Sequence, residues 1–306
     1  MYEKILLPLD GSTLSESALP YARLLATALQ VPVELLQAMD PDLLAVLGHP
    51  RYVEREPSLE AIVKERQLRY LTTVERRFPA PVRVSGAVEV GSAEELILAK
   101  ARTAPNTLIV MATHGHSGLK RWLLGSIAEK VLRGATTPLL LIRATAEGSK
   151  SEAVALQTLI VPLDGSPLAE RALPYAVMLA RTLELVVVLV RAFSLPMSGY
   201  LAEEQAEKGH ARGDRMGKEA QEYLDEKTEQ LRAQGVKKIA TAAVAGPAAD
   251  TILNVARENP NSLVVMCTHG RSGVRRWVLG SVTERIAHHS HEPLLIIQAA
   301  SDPATS

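Results

Sequence analysis

The chain has 306 residues, with 34 basic and 34 acidic side chains and a formal net charge of +0. That length fits two domains, the 47% hydrophobic content supplies a core for each and excludes a disordered chain, and the balanced charge excludes the basic excess of a dedicated nucleic-acid binder. One cysteine, Cys267, excludes an intrachain disulfide framework and Cys-rich zinc sites. With no signal-peptide-length apolar start and no membrane-span pattern, the expectation is a cytoplasmic protein without membrane or nucleic-acid partners.

In chain order, Ile5–Leu9 is a short apolar run ended by Asp-Gly-Ser, which reads as a buried strand and a turn. Ser15–Ala28 has helical apolar spacing, and Val31–Ala38 reads as strand two. A helix is predicted over Ser58–Arg77 and strand three over Val82–Val90. Ser92 and Glu95 form a capping-box pattern for the next helix. Leu108–Ala112 is strand four, Ser126–Leu132 a helix and Leu139–Ile142 the last strand.

The same order then repeats. Strands are predicted at Leu159–Leu163, Val186–Ala192, Ile239–Val244, Leu263–Cys267 and Leu294–Ile297. Helices fall near Ala169–Thr182 and Met216–Gln234, and from Pro247 and Ser281 onward. Specific motifs recur too. Pro8-Leu9-Asp10-Gly11-Ser12 returns as Pro162-Leu163-Asp164-Gly165-Ser166, an offset of 154, and Thr113-His114-Gly115-His116-Ser117-Gly118 returns as Thr268-His269-Gly270-Arg271-Ser272-Gly273, an offset of 155. This is a domain duplication. It places domains at 1–145 and 156–300, joined by a polar linker at 146–155. Alternating strands and helices imply a parallel sheet covered on both faces, with ligands beyond the carboxyl ends of the strands at the switch in strand order.

The loop after strand four carries the chemistry. Nine residues separate Gly115 from Gly125-Ser126, and nine separate Gly270 from Gly280-Ser281. Glycines let backbone amides approach an oxyanion, and a helix start favours a phosphate. A second reading makes Ser126 with Glu129, and Ser281 with Glu284, ordinary capping boxes. Thr283 adds a second hydroxyl expected to face the phosphates, where the first half has Ala128. The second site is therefore predicted to hold the phosphates more tightly. Lys120, Arg121, Arg275 and Arg276 either screen phosphate or form a solvated turn. Trp122 and Trp277 read as loop anchors, and the run from His288 to His291 as exposed polar surface. Cys267, ending an apolar strand, reads as an inert buried thiol.

These motifs resemble the universal stress protein family over nearly the whole chain. The resemblance implies two tandem Rossmann-like domains of the adenine nucleotide α-hydrolase-like type, each an open five-stranded parallel sheet. ATP-binding members carry Gly, two residues, Gly, nine residues, Gly-Ser/Thr. The first position here is Ala112 or Cys267, a departure from that pattern; Gly115, Gly125, Ser126 and Gly270, Gly280, Ser281 match the rest. By the same resemblance Asp10 and Asp164 hold the adenosine, and Ala38 and Ala192 meet adenine through their backbone. Pro8, Leu9, Met111, His114, Gly118 and Ile127 complete the first candidate site. Pro162, Leu163, Met266, His269, Gly273 and Val282 complete the second.

The functional expectation is an ATP-binding stress-response protein that acts through partner contacts. Mg or Mn would be bound through the phosphates. Neither loop offers a general base. The alternative is an ATP-hydrolysing or adenylating enzyme, with Asp40–Glu56 and Ser194–Arg215 as a lid. The final strands are expected to pair within the chain as a pseudo-dimer, with a homodimer of such chains also open.

Overall fold

The computed structural model describes residues 2–41, 59–104, 106–113, 124–143, 153–194, 203–268 and 280–298. Two compact units divide the chain, Met1–Val154 and Ala155–Ser306. The first holds strands β1 (Lys4–Pro8), β2 (Val33–Met39), β3 (Val84–Val90), β4 (Thr107–Ala112) and β5 (Leu139–Ile142). Its helices are α1 (Leu19–Leu29), α2 (Leu59–Glu75), α3 (Ala93–Arg102) and α4 (Ser126–Gly134). The second holds β6 (Thr158–Pro162), β7 (Val186–Phe193), β8 (Ile239–Ala245), β9 (Ser262–Cys267) and β10 (Leu294–Ile297). Its helices are α5 (Pro167–Glu170), α6 (Leu173–Leu183), α7 (Glu203–Ala233), α8 (Ala248–Glu258) and α9 (Ser281–His289). Among the described residues no helix is long and apolar enough to cross a membrane.

Each unit is the expected open parallel sheet. The first runs β3-β2-β1-β4-β5 and the second β8-β7-β6-β9-β10. Central strands flanked on both sides have no polar face to show, and all six residues of β4 and of β9 are buried. The pairing pattern opens the crevice. β1 stays paired with β2 as far as Pro8↔Leu36, and β4 with β5 as far as Ala112↔Ile142. Between β1 and β4, however, the register ends at Leu6↔Ile109. The second unit repeats this, with β6–β9 pairing ending at Ile160↔Val264. The two strands at the order switch thus part before their carboxyl ends, which is where such sheets bind ligands.

Local chemistry moves several predicted boundaries. The helix expected over Ser15–Ala28 splits into a 3₁₀ turn, Ser15–Ala18, and α1, because Pro20 has no N–H to donate and fits only a first helical turn. Pro174 does the same before α6. Strands two and three start at Val33 and Val84 rather than Val31 and Val82. The turn that bonds Val82 N to Pro79 O delays the third. Ser92 is the N-cap of α3 but makes no side-chain cap bond. The helix expected from Met216 starts at Glu203 instead. Gly209, Gly213 and Gly217 weaken its helical signature. At Gly217 the missing side chain has a use, since a Cβ there would stand 3.1 Å from Phe193 Cζ. Much of the expected lid Ser194–Arg215 is therefore the first part of α7; its residues 195–202, and 42–56 of the other lid, lie outside the described residues.

Close approach also fixes α2 on the sheet. A Cβ at Gly86, on β3, would lie 3.0 Å from Leu71 Cβ and 2.9 Å from Glu75 Oε1. Leu71 is 1% exposed and has nowhere to go. Gly86→Val is expected to destabilise the first unit by about 2 kcal/mol, the usual scale of overpacking, read as a lower urea midpoint at unchanged slope.

Candidate functional site

The loop after the first strand of each unit is built by its Asp-Gly-Ser. Asp10 Oδ1 accepts from Ser12 N at 2.9 Å and Ser12 Oγ at 2.6 Å. Asp164 Oδ1 accepts from Ser166 N at 2.9 Å. This turn needs a left-handed central residue, and Gly11 (φ 79°) and Gly165 (φ 85°) supply it without strain. The units continue alike. Ser166 Oγ caps α5 by accepting from Ala169 N at 3.1 Å, and Ser12 Oγ accepts from the equivalent Ser15 N at the same distance, 3.1 Å.

In the second unit a cleft of about 180 Å³ opens where β6 and β9 part. Pro162, Leu163 and Asp164 line it from the end of β6, Ala192 from β7, and Met266 and Cys267 from β9. Gly280, Ser281, Val282 and Thr283 close it from the start of α9. Every described residue expected in that site meets in this one cleft. The sequence reading missed Val190, Thr268, Ala169 and the pair Ala248 and Ile252, which complete the wall. The last two sit one turn apart on one face of α8, a spacing visible in the sequence. His269, Gly270 and Gly273 lie outside the described residues, as do His114, Gly115 and Gly118 and the basic and tryptophan residues of both loops.

The first unit sets out its counterparts in the same order. Pro8, Leu9 and Asp10 end β1, and Ala38 lies near the end of β2. Met111 and Ala112 end β4 as buried residues, and Gly125, Ser126 and Ile127 begin α4. Ile127 is an exposed apolar side chain there.

Both glycine loops are pinned at their stems. Gly125 N donates to Thr113 O at 2.8 Å, and Gly280 N to Thr268 O at 2.9 Å. The expected serine capping boxes are absent. Each N-cap is the glycine, with extended backbone, and no side chain caps either helix. Ser126 and Ser281 therefore sit one residue into their helices, exposed. Glu129 pairs with Arg133 at 3.1 Å instead of reaching back. A first turn without a side-chain acceptor leaves amides and the positive end of the helix dipole facing the crevice, which suits an anion.

Thr283 corrects the expectation of a second phosphate-facing hydroxyl. It is 2% exposed, and its Oγ1 donates to Cys267 O at 3.1 Å and Thr268 O at 3.3 Å. Cys267 is buried as its strand position implies. Burial, helped by the Asp164 charge, pushes its thiol up to about 12, against the pull of Arg171 and the Ala172 N–H. It is a neutral wall of the cleft at pH 7.

A further pair of clusters was overlooked. Tyr70 on α2 donates to Glu16 at 3.0 Å, and Arg77 pairs with the same carboxylate at 2.7 Å. Tyr223 on α7 donates to Glu170 at 2.8 Å, joined by Lys227 at 3.1 Å. The Arg191 guanidinium stacks 4.4 Å above the Tyr223 ring. Burial, then the neighbouring glutamate, raises both phenols, so both remain donors. Each latch ties the long helix to the turn that follows the aspartate loop. The recurrence of Glu16 as Glu170 and Tyr70 as Tyr223 was the available signal. Among the described residues no group of three or more His, Cys, Asp or Glu gathers to hold a metal.

Comparison with known proteins places these features. The model of the universal stress protein family matches residues 1–143 and again 155–298. A universal stress protein of Methanocaldococcus jannaschii is 30% identical over 141 residues, covering 46% of this chain and 81% of that one. One from Mycolicibacterium smegmatis is 25% identical over 308 residues, covering 96% of each chain. The crystal structure of a universal stress protein from Archaeoglobus fulgidus shares the fold, with TM-score 0.67 at 19% identity over 96% of this chain and 98% of that one.

Proposed function

This chain belongs to the universal stress protein family, and we propose that it is a regulatory member that binds ATP at the crevice of each unit. The observation that carries the reading is the second-unit cleft, where an aspartate, small apolar walls and an uncapped helix start converge at the strand-order switch. Asp164 takes the ribose hydroxyls, the Ala192 backbone the adenine edge, and the amides of Ser281–Thr283 the phosphates. Asp10, Ala38 and the start of α4 do the same in the first unit. A divalent ion, Mg or Mn, enters with the nucleotide, held by phosphate oxygens and water. The bound state then stabilises the chain and alters a protein partner's affinity.

Calorimetric titration of the full chain with ATP tests this. Two ATP per chain are expected, with a rise in melting temperature; at a ligand concentration a hundred times Kd, linkage gives about 2.7 kcal/mol per site. No binding, or equal binding of a nucleotide with another base, sinks the reading. Release of AMP and pyrophosphate with an acceptor, or steady release of phosphate, would move the chain to the enzyme alternative.

A further inference from the structure

Among the buried positions at which the two crevices differ, one lies in the helix start. Thr283 and Ala128 are equivalent, both in the first turn of the helix that follows the glycine loop, and both 2% exposed. Thr283 Oγ1 reaches back to the carbonyls of Cys267 and Thr268, at the end of β9. The Ala128 methyl can make no such bond. In each unit a glycine amide already closes the loop stem, Gly125 N on Thr113 O and Gly280 N on Thr268 O. The second unit adds a hydroxyl that crosses from the helix to two successive carbonyls of the strand.

We propose that Thr283 is a positioning residue that bolts the start of α9 to the end of β9, so that the second ATP site is pre-set and the tighter of the two. The inference rests on ATP binding as proposed above. It differs from a direct contact, because the hydroxyl is buried and its proton is already donated to backbone. Two physical effects follow. A helix start held by two donors, Gly280 N and Thr283 Oγ1, loses less freedom when a phosphate settles on its amides, and preorganisation of this kind raises affinity without a new ligand contact. Donation to the two carbonyls also engages lone pairs of oxygens beside the anion-binding amides, which lowers the negative potential an incoming phosphate meets.

Four variants of the full chain test it: Thr283→Val, which keeps the shape and removes the donor, Thr283→Ser, which restores the donor, Thr283→Ala, and Ala128→Thr. The first readout is amide hydrogen exchange of the nucleotide-free protein. Val282–Glu284 should exchange about tenfold more slowly than Ile127–Glu129. Thr283→Val should remove that difference and Thr283→Ser should keep it. The second readout is calorimetry with ATP. Two unequal sites are expected, and Thr283→Val should weaken the tighter one about fivefold, with serine rescuing it. Ala128→Thr should slow exchange at the first helix start and tighten the weaker site. Unchanged exchange in Thr283→Val overturns the bolt. Faster exchange with both affinities unchanged overturns the positioning role. If the wild-type chain binds no ATP, the ATP reading and the ranking of sites fall together, while the exchange comparison still decides the bolt.

Discussion

Ala192→Leu is expected to lower the number of ATP molecules bound per chain from two to one. Ala192 is a half-buried residue near the end of β7 and lines the cleft with Val190, Ala248 and Ile252. These small and branched walls leave about 180 Å³. Three added carbons at its floor occupy the space the adenine ring needs, and a well-packed wall cannot retreat to restore it. The affinity of that site should fall about a hundredfold, below what titration detects. Stability should move by less than about 0.5 kcal/mol, because the new side chain projects into a cleft rather than into packed core. Ala38→Leu should remove the first site in the same way, and the double variant should bind none. Two ATP still bound by Ala192→Leu would show that the base lies elsewhere, and melting curves matched to wild type would rule out unfolding as the cause.

Much of the fold was readable because its signals are local or repeated. Apolar runs such as Leu108–Ala112 end at Thr-His-Gly, and the offset recurrence of Asp-Gly-Ser shows the duplication without any structure. Ten of the cleft residues were readable for the same reason, since each lies at a strand end or a helix start. What was misread depends on which way a side chain turns. Ser126 and Ser281 fit a capping-box pattern, but the backbone puts the glycine at the cap and the serine inside the helix. Thr283 looks like a phosphate-facing hydroxyl in sequence, and only the proximity of the β9 end gives it a closer acceptor. The first stretch of α7 was hidden because Gly209 and Gly213 are poor helix formers that weaken its local signature. The Tyr–Glu latches join residues more than fifty positions apart, a link that no period within one element carries.

Acid should unfold the first unit before the second. On the first sheet Lys4 Nζ lies 2.6 Å from Glu34, while Lys100 reaches Glu34 at 3.4 Å and Glu89 at 2.6 Å. The register puts Val188 and Val244 of the second sheet at the places of Glu34 and Glu89. Val255 of α8 stands where Lys100 does on α3. One unit thus solves the same packing problem with an ion network and the other with three valines. Burial pushes the Glu34 carboxyl up, but the hydrogen bond and charge of Lys4, with Lys100, outweigh it and hold the group below its usual range. A lowered carboxyl contributes stability that is present above its unfolded value and lost as pH falls through the folded one. Lys100 is raised, chiefly by its bond to Glu89, so its share holds through neutral pH and fades only above the ordinary lysine range. Hydrogen exchange from pH 7 down to about 3, followed unit by unit, should therefore show the β1–β3 amides opening first. Glu34→Gln should cost about 2 kcal/mol at pH 7, since it strands partly buried lysines, and should flatten the acid slope of the first unit. Replacing Lys4 by threonine and Glu34, Glu89 and Lys100 by valine together should flatten the slope at little cost, because Thr158 and three valines hold the equivalent positions in the other copy. Equal acid sensitivity of the two units in the wild-type chain would mean that the network contributes nothing the valines do not.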